Sequence, residues 1–317
     1  MKNFLVLIAA MILIGGGVAE AAYPERPIQF IIGWDVGGAS DLAGRALCAR
    51  AEKYLNKPMV IQNLPAGAGA KGYMTIAKSK PDGYTIGLAT GTISSVKPAG
   101  LVPLDSSDFE PIITFESGPG GIWVHQDAPW KTFKEFAEYV KQRPGEVTIA
   151  GSAPGTVTRF QMVLLEQAAG LEFRVLAQKG GAAAGLTALA GKHVVAAMGS
   201  PLEGNALYSA GKIRPLAFTS AQRVAIMPDV PTAKEQGYDV ELSSTRVILA
   251  PKGTPKEIID TLYQAFRKVV HEPEYRKSLE SRGSIVLDYS PEETAVFLKK
   301  QDEIFKDIIQ KTSQIKN

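Results

Sequence analysis

The chain has 317 residues, 45% hydrophobic and 21% charged, with 35 Lys and Arg against 32 Asp and Glu. That length holds about two domains of roughly 100–200 residues, and the composition excludes intrinsic disorder, a collagen-like repeat and a disulfide scaffold. The formal charge of +3 comes without the basic run or aromatic stripe that a nucleic-acid partner needs, lone Cys48 forms no internal disulfide, and His125, His193 and His271 are too scattered for a metal cluster.

Residues 1–22 open on Lys2, continue with an apolar run from Phe4 to Ile14, and end on Ala19, Glu20 and Ala21. That order reads as a secretory signal peptide, cleaved near Ala21/Ala22. The apolar run falls short of the about 20 residues that a membrane span needs; the competing reading is an uncleaved anchor. No cysteine stands near the cleavage site to carry a lipid. Export would remove the chain from nucleotide pools, which weighs against nucleotide cofactors.

Beyond the leader, short apolar runs alternate with amphipathic stretches, the pattern of an α/β protein. Strands are predicted at Ile28–Ile32, Met59–Gln62, Thr85–Ala89, Ile122–Val124, Val147–Ala150, Phe173–Leu176, Val194–Met198, Pro215–Thr219 and Val247–Ala250. Several lack strict alternation, as strands covered on both faces do. Helix starts are predicted at Thr132, Thr254 and Ser290, each followed three residues later by a glutamate (Glu135, Glu257, Glu293) in capping-box spacing. Pro255 and Pro291 stand where the first helical residue would be, a position that needs no N–H.

Two nucleotide-like patterns fail on context. Gly67, Gly69 and Gly72 have dinucleotide-fingerprint spacing, but no acid follows about 20 residues on, where Thr92 stands. The run from Gly185 to Lys192 is one residue too long for a P-loop, and His193 occupies the place of the magnesium-holding Ser or Thr. There is no nucleophile elbow and no zinc-protease motif. No cofactor and no catalytic constellation is predicted.

Two loops are better suited to an anion. The strand Ile28–Ile32 runs into Gly33, Trp34, Asp35, Val36, Gly37, Gly38, Ala39, Ser40 and Asp41, with a helix starting near Ser40. Glycines let the backbone approach a ligand, and a helix start presents free N–H groups with partial positive charge. The competing reading is a tight turn with Ser40 or Asp41 only capping the helix. After Val147–Ala150, Gly151 to Arg159 offers backbone N–H groups, the hydroxyls of Ser152 and Thr156, and a guanidinium able to grip a carboxylate bidentately. Arg159 could equally be a surface helix charge. Two such loops in different halves suggest a cleft between lobes, and a binding protein rather than an enzyme.

Seven short segments in order then carry a resemblance. They are 23–28 (Tyr23, Pro24, Glu25, Arg26, Pro27, Ile28), 37–41, 63–69, 80–85, 179–180, 210–217 and 250–255. With these the chain resembles the substrate-binding proteins of tripartite tricarboxylate transporters, the Bug receptors. The resemblance implies a two-lobed periplasmic binding-protein fold of type II character. One lobe would combine residues 23–122 with 247–317 and the other span 123–246, with crossings near Trp123 and Arg246. It implies a periplasmic monomer that binds a small organic acid and delivers it to a membrane permease with one large and one small subunit. A sensing receptor of the same fold is the alternative. Mapped by position, the ligand set is Trp34, Gly37, Gly38, Ala39, Ser40, Asp41, Ala68, Gly69, Thr90, Thr92, Ser152, Thr156, Arg159, Lys179, Gly180 and Ser200. The family's usual Pro-Phe before the glycines is here Gly33 and Trp34, and its usual proline is Val36. The tyrosine before Lys179 is here Gln178, and the aspartate before Ser200 is Gly199.

Overall fold

The computed structural model describes residues 23–151, 156–178 and 181–314. The predicted leader, and Ser152, Lys179 and Gly180 of the predicted ligand set, lie outside the described residues.

In chain order the larger elements are β1 (Ile28–Ile32), α1 (Ala39–Leu55), β2 (Met59–Asn63), α2 (Ala70–Ala77), β3 (Thr85–Thr90), the short α3 (Ile93–Val96) and β4 (Phe109–Pro119). There follow β5 (Gly121–His125), α4 (Phe133–Lys141), β6 (Thr148–Gly151), α5 (Val157–Ala169), β7 (Arg174–Ala177), α6 (Gly181–Ala190), β8 (Ala196–Gly199), α7 (Pro201–Ser209) and β9 (Ile213–Phe218). The chain ends with β10 (Ser243–Pro251), α8 (Lys256–Val270), α9 (Pro273–Glu280), β11 (Ile285–Tyr289) and α10 (Pro291–Gln314).

Two sheets result. The first has the order β11-β4-β10-β3-β1-β2, the second β7-β6-β8-β5-β9. In the first, β1 pairs in parallel with β2 and β3, while β10 runs antiparallel to β3 and β4. In the second, β6 pairs in parallel with β7 and β8, and β5 runs antiparallel to β8 and β9. Apolar clusters cover both faces of the first sheet, one containing Phe30, Leu47 and Phe266, the other Tyr73, Val247 and Leu298. Clusters around Phe136 and Met162, and around Trp123 and Leu186, do the same for the second. Burial on both faces is why β1, β3 and β10 read as continuous apolar runs.

The chain leaves the first sheet after Pro119 and enters the second at Gly121, so Gly120 lies at the crossing. It returns through Leu242 into β10. Trp123 therefore sits inside a strand of the second sheet and Arg246 inside a strand of the first, each a few residues past the crossing.

The nine predicted strands form, but β4 and β11 were not predicted. Pro111, Glu116, Gly118 and Pro119 break the apolar pattern of β4, and its pairing with β10 shifts register between Ile248 and Leu249, beside Pro111. An irregular ladder accommodates proline where a regular one does not. Among the predicted caps, Ser290 and Glu293 form the reciprocal pair, with Glu293 Oε2 accepting from Ser290 N–H at 2.8 Å and Ser290 Oγ accepting from Glu293 N–H at 3.2 Å. At Thr132 the hydroxyl caps Glu135 N–H, but the glutamate turns back one residue further, to Lys131 N–H. The box at Thr254 is absent: its hydroxyl donates to Pro251 O at 2.7 Å, and Pro255 is itself the helix cap.

Candidate functional site

Where the two sheets meet, three helices point their first turns at one cleft. α1 starts after Gly38, which brings no side-chain cap to the free N–H groups of its first turn. α5 is capped by Thr156, whose Oγ1 accepts from Arg159 N–H at 3.3 Å. α7 is capped by Ser200 with Glu203 in a reciprocal box. Helix starts carry partial positive charge, so their convergence favours an anion.

The cleft holds two adjoining cavities. One, of about 290 Å³, is lined by Trp34, Asp35, Gly38, Ala39, Ser40, Thr90, Thr92, Thr156, Val157, Thr158, Ser244 and Arg246. The other, of about 160 Å³, shares Ala39, Thr158, Ser244 and Arg246 and adds Gly118–Gly120, Gln161, Ser200–Glu203 and Arg282–Ser284. Hydroxyl groups are the commonest polar lining; the charged side chains of Asp35, Glu203 and Arg282 stand at more exposed positions, and the buried Arg246 stands at the join.

Of the predicted ligand residues, Trp34, Gly38, Ala39, Ser40, Thr90, Thr92 and Thr156 line the larger cavity and Ser200 the smaller. Trp34 presents a half-buried indole, and its Nε1 has no hydrogen-bond partner. The predicted Gly37 and Asp41 do a different job. Asp41 is buried, and its carboxylate accepts from Gly37 N–H at 2.9 Å, from Arg45 Nε at 2.9 Å and from Asn63 Nδ2 at 2.8 Å. Asn63 also donates to Trp34 O, so this network fixes the loop from Trp34 to Asp41. Burial pushes the Asp41 pKa up, but the bonds from Arg45, Gly37 and Asn63 outweigh it and hold the carboxyl below its ordinary value.

Ala68 and Gly69 also act from behind the lining. Thr92 Oγ1 donates to Ala68 O at 3.0 Å and lies 2.8 Å from the Tyr73 hydroxyl and 2.9 Å from Thr90 Oγ1. The backbone of Gly69 lies so close to Gly33 that a Cβ on Gly33 would stand 2.9 Å from Gly69 Cα. Here glycine is required, since the approach of α2 to the end of β1 positions Thr90 and Thr92.

Arg159 departs from its predicted role. Its Nη1 lies along its own helix, 3.5 Å from Met162 Sδ, and it lines neither cavity. Thr158 and Gln161, three residues apart, share the cleft-facing side of α5, and Arg159 lies about 100° around the helix from Thr158. The cleft's deep guanidinium is instead Arg246, delivered by β10 through its register with Thr90 and Glu116. Its sequence signal was a cation immediately before the apolar run Val247–Ala250. Ser244 was likewise missed, since nothing near it in sequence marks a loop; Thr158 lies within the segment Gly151 to Arg159 but was passed over for its neighbours Thr156 and Arg159.

The geometry now meets the comparisons. A family model described as "Tripartite tricarboxylate transporter family receptor" matches residues 43–314. The chain belongs to this family. A Cupriavidus necator relative, described as the UPF0065 protein in the gbd 5' region, is 32% identical over 260 residues, 81% of this chain and 78% of the relative. Among solved structures, a TctC solute-binding protein from Polaromonas superposes with a TM-score of 0.82 at 31% identity, covering 91% of this chain and 99% of that one. A Rhodopseudomonas palustris protein solved with adipate gives a TM-score of 0.77 at 26% identity, covering 91% and 97%. The receptor family is one of periplasmic solute-binding proteins, and the fold is their two-lobed one. No helix among the described residues is long and apolar enough to cross a membrane.

Proposed function

We propose that this receptor captures a small organic carboxylate in the periplasm, without chemistry, and delivers it to the two-subunit membrane permease of a tripartite tricarboxylate transporter. The observation that carries the reading is the cleft itself. Three helix starts and the buried Arg246 converge on cavities whose remaining polar lining is mostly hydroxyl and backbone. Such a surface offers donors to an oxyanion. The adipate bound by the R. palustris protein is a ligand of this chemical class.

In this reading Trp34, Gly38, Ala39, Ser40, Thr90, Thr92, Thr156 and Ser200 contact the ligand together with Thr158, Ser244 and Arg246. Ser152, Lys179 and Gly180 complete the site from the second lobe, and the mature protein acts as a monomer. Lobe 1 joins residues 23–122 to 247–317 and lobe 2 spans 123–246, with hinge bending at the crossings.

Thermal-shift screening of the mature protein against mono-, di-, tri- and aromatic carboxylates tests this. A specific ligand at 100 times its dissociation constant adds about 2.7 kcal/mol of stability. A melting temperature moved by a sugar, amine or metal and by no carboxylate would overturn the reading.

A further inference from the structure

Arg246 on β10 stands directly opposite Glu116 on β4. They are 7% and 4% exposed, and Arg246 Nη1 donates to Glu116 Oε1 at 2.8 Å. Ser284 Oγ donates to the same oxygen at 2.6 Å. Neither member is saturated: Arg246 Nε and Glu116 Oε2 are buried without hydrogen-bond partners. Arg246 lines both cavities, whereas Glu116 lines neither. The pair therefore has a front and a back. A guanidinium has five N–H donors in a rigid fork, and a buried charge with open donors is costly unless another group meets it.

Resting on the carboxylate reading above, we propose that Arg246 is the charge anchor of the cleft and takes the ligand's carboxylate. Glu116 is a positioning residue with two opposed effects. Steadied by the Ser284 hydroxyl, which donates to it, Glu116 holds the guanidinium from behind, facing the cavities. Its own negative charge offsets that of Arg246 and so weakens the pull on an incoming anion. This arrangement is suited to a receptor that must release its cargo as well as capture it, because the anchor's strength is set below that of a free arginine.

The two residues are therefore expected to respond with opposite signs. Glu116→Gln keeps an oxygen for Arg246 Nη1 and Ser284 Oγ but removes the charge, so affinity for a carboxylate should rise by about threefold or more. Arg246→Met should lower it by about tenfold to hundredfold, the range of a charge-assisted hydrogen bond. Arg246→Lys should recover only part, because an ammonium lacks the planar fork. A purely structural pair would lose stability in every variant and leave the affinity of the folded protein unmoved.

The experiment is calorimetric titration of parent and variants with hexanoate, adipate, citrate and benzoate, alongside melting temperatures. Arg246→Met strands the Glu116 charge, so the charge-free double variant Arg246→Met/Glu116→Leu accompanies it, and Glu116→Gln decides alone if neither folds. A parent that binds none of the four acids removes the carboxylate reading, and the anchor with it. A parent that binds one, with Glu116→Gln unchanged or weaker, or with a folded Arg246→Met or double variant within twofold, overturns the anchor alone.

Discussion

Phe160 of α5 and Phe305 of α10 meet edge to face, ring centroids 4.9 Å apart and planes at 82°. The contact joins the two lobes. α10 begins over the first sheet, where Thr114 Oγ1 donates to Thr294 Oγ1 at 3.1 Å and Leu298 enters the core. It ends against α5 and the returning crossing, in a cluster of Val157, Phe160, Val163, Leu242, Phe305 and Ile308. Val157 also lines the larger cavity, so the strap and the ligand site share a side chain.

Phe305→Ala should therefore loosen the lobes as well as the core. Removing a fully buried phenylalanine costs about 3–5 kcal/mol. The melting temperature should fall, and the radius of gyration from small-angle scattering should grow in the ligand-free protein. A variant with lowered stability and an unchanged radius would mean that α10 does not set the lobe separation.

Arg159→Ala should leave affinity for any carboxylate within about twofold, because its guanidinium rests on Met162 along its own helix. Arg159 is half-buried and its side chain covers Met162, so some loss of packing stability is expected without a loss of affinity. A tenfold loss of affinity on calorimetric titration would return Arg159 to the ligand set and show that the second loop, not β10, carries the cation.

The contrast between Arg159 and Arg246 shows what was legible in the sequence. Loops announce themselves locally: a strand running into Gly37 and Gly38 before a helix places Ser40 at the cleft. Arg246 and Ser244 reach the same cleft from a strand distant in the chain, through a register that only the folded ladder defines. Nor does residue type separate a side chain that faces the cavity from one that supports it. Asp41 looked like a ligand contact and is a brace, because Arg45, one turn on in the same helix, and Asn63, at the end of β2, claim its oxygens. Most of the fold was readable from apolar runs. β11 was not, since it lies at a sheet edge, half-exposed throughout, with little apolar pattern.

Asp41 also gives a pH dependence. Its folded pKa is below its unfolded one, near the ordinary carboxylate value of about 4. The stabilisation it provides is then fully present above that value and lost as pH falls through the lower folded pKa. Asp41→Asn should cost about 1–3 kcal/mol at pH 7, the range for a charged hydrogen-bonding group, and toward the lower end because Arg45, its strongest partner, is half in water. In acid the parent loses the same charge. Denaturant titrations at pH 7 and pH 3 should show the gap between parent and variant narrowing; an equal gap at both would mean that the charge does not hold the loop.

The two crossings are tied together by hydrogen bonds. Thr219 N–H donates to Gly120 O at 2.8 Å, and Leu242 N–H donates to Thr219 O at 2.9 Å. Leu242 O in turn accepts from Thr219 Oγ1 at 2.7 Å and from Gln161 Nε2 at 2.9 Å. A Cβ on Gly120 would overlap the Gln161 amide. Gly120→Ala must therefore displace Gln161 from Leu242 O, leaving a buried carbonyl with one donor fewer and a buried amide to be re-housed. That loss is expected to cost about 1–3 kcal/mol. Thr219→Val removes the other donor to the same oxygen while keeping the side chain's shape, so its effect isolates the bond from the overlap. If lobe closure bends at these crossings, both variants should alter the change in radius of gyration that a saturating carboxylate produces, beyond what the same stability loss placed in the far core causes. Phe136→Leu, in the core of the second sheet away from the crossings, supplies that comparison. Closure that is identical in parent, Gly120→Ala and Thr219→Val would place the bending elsewhere in the chain.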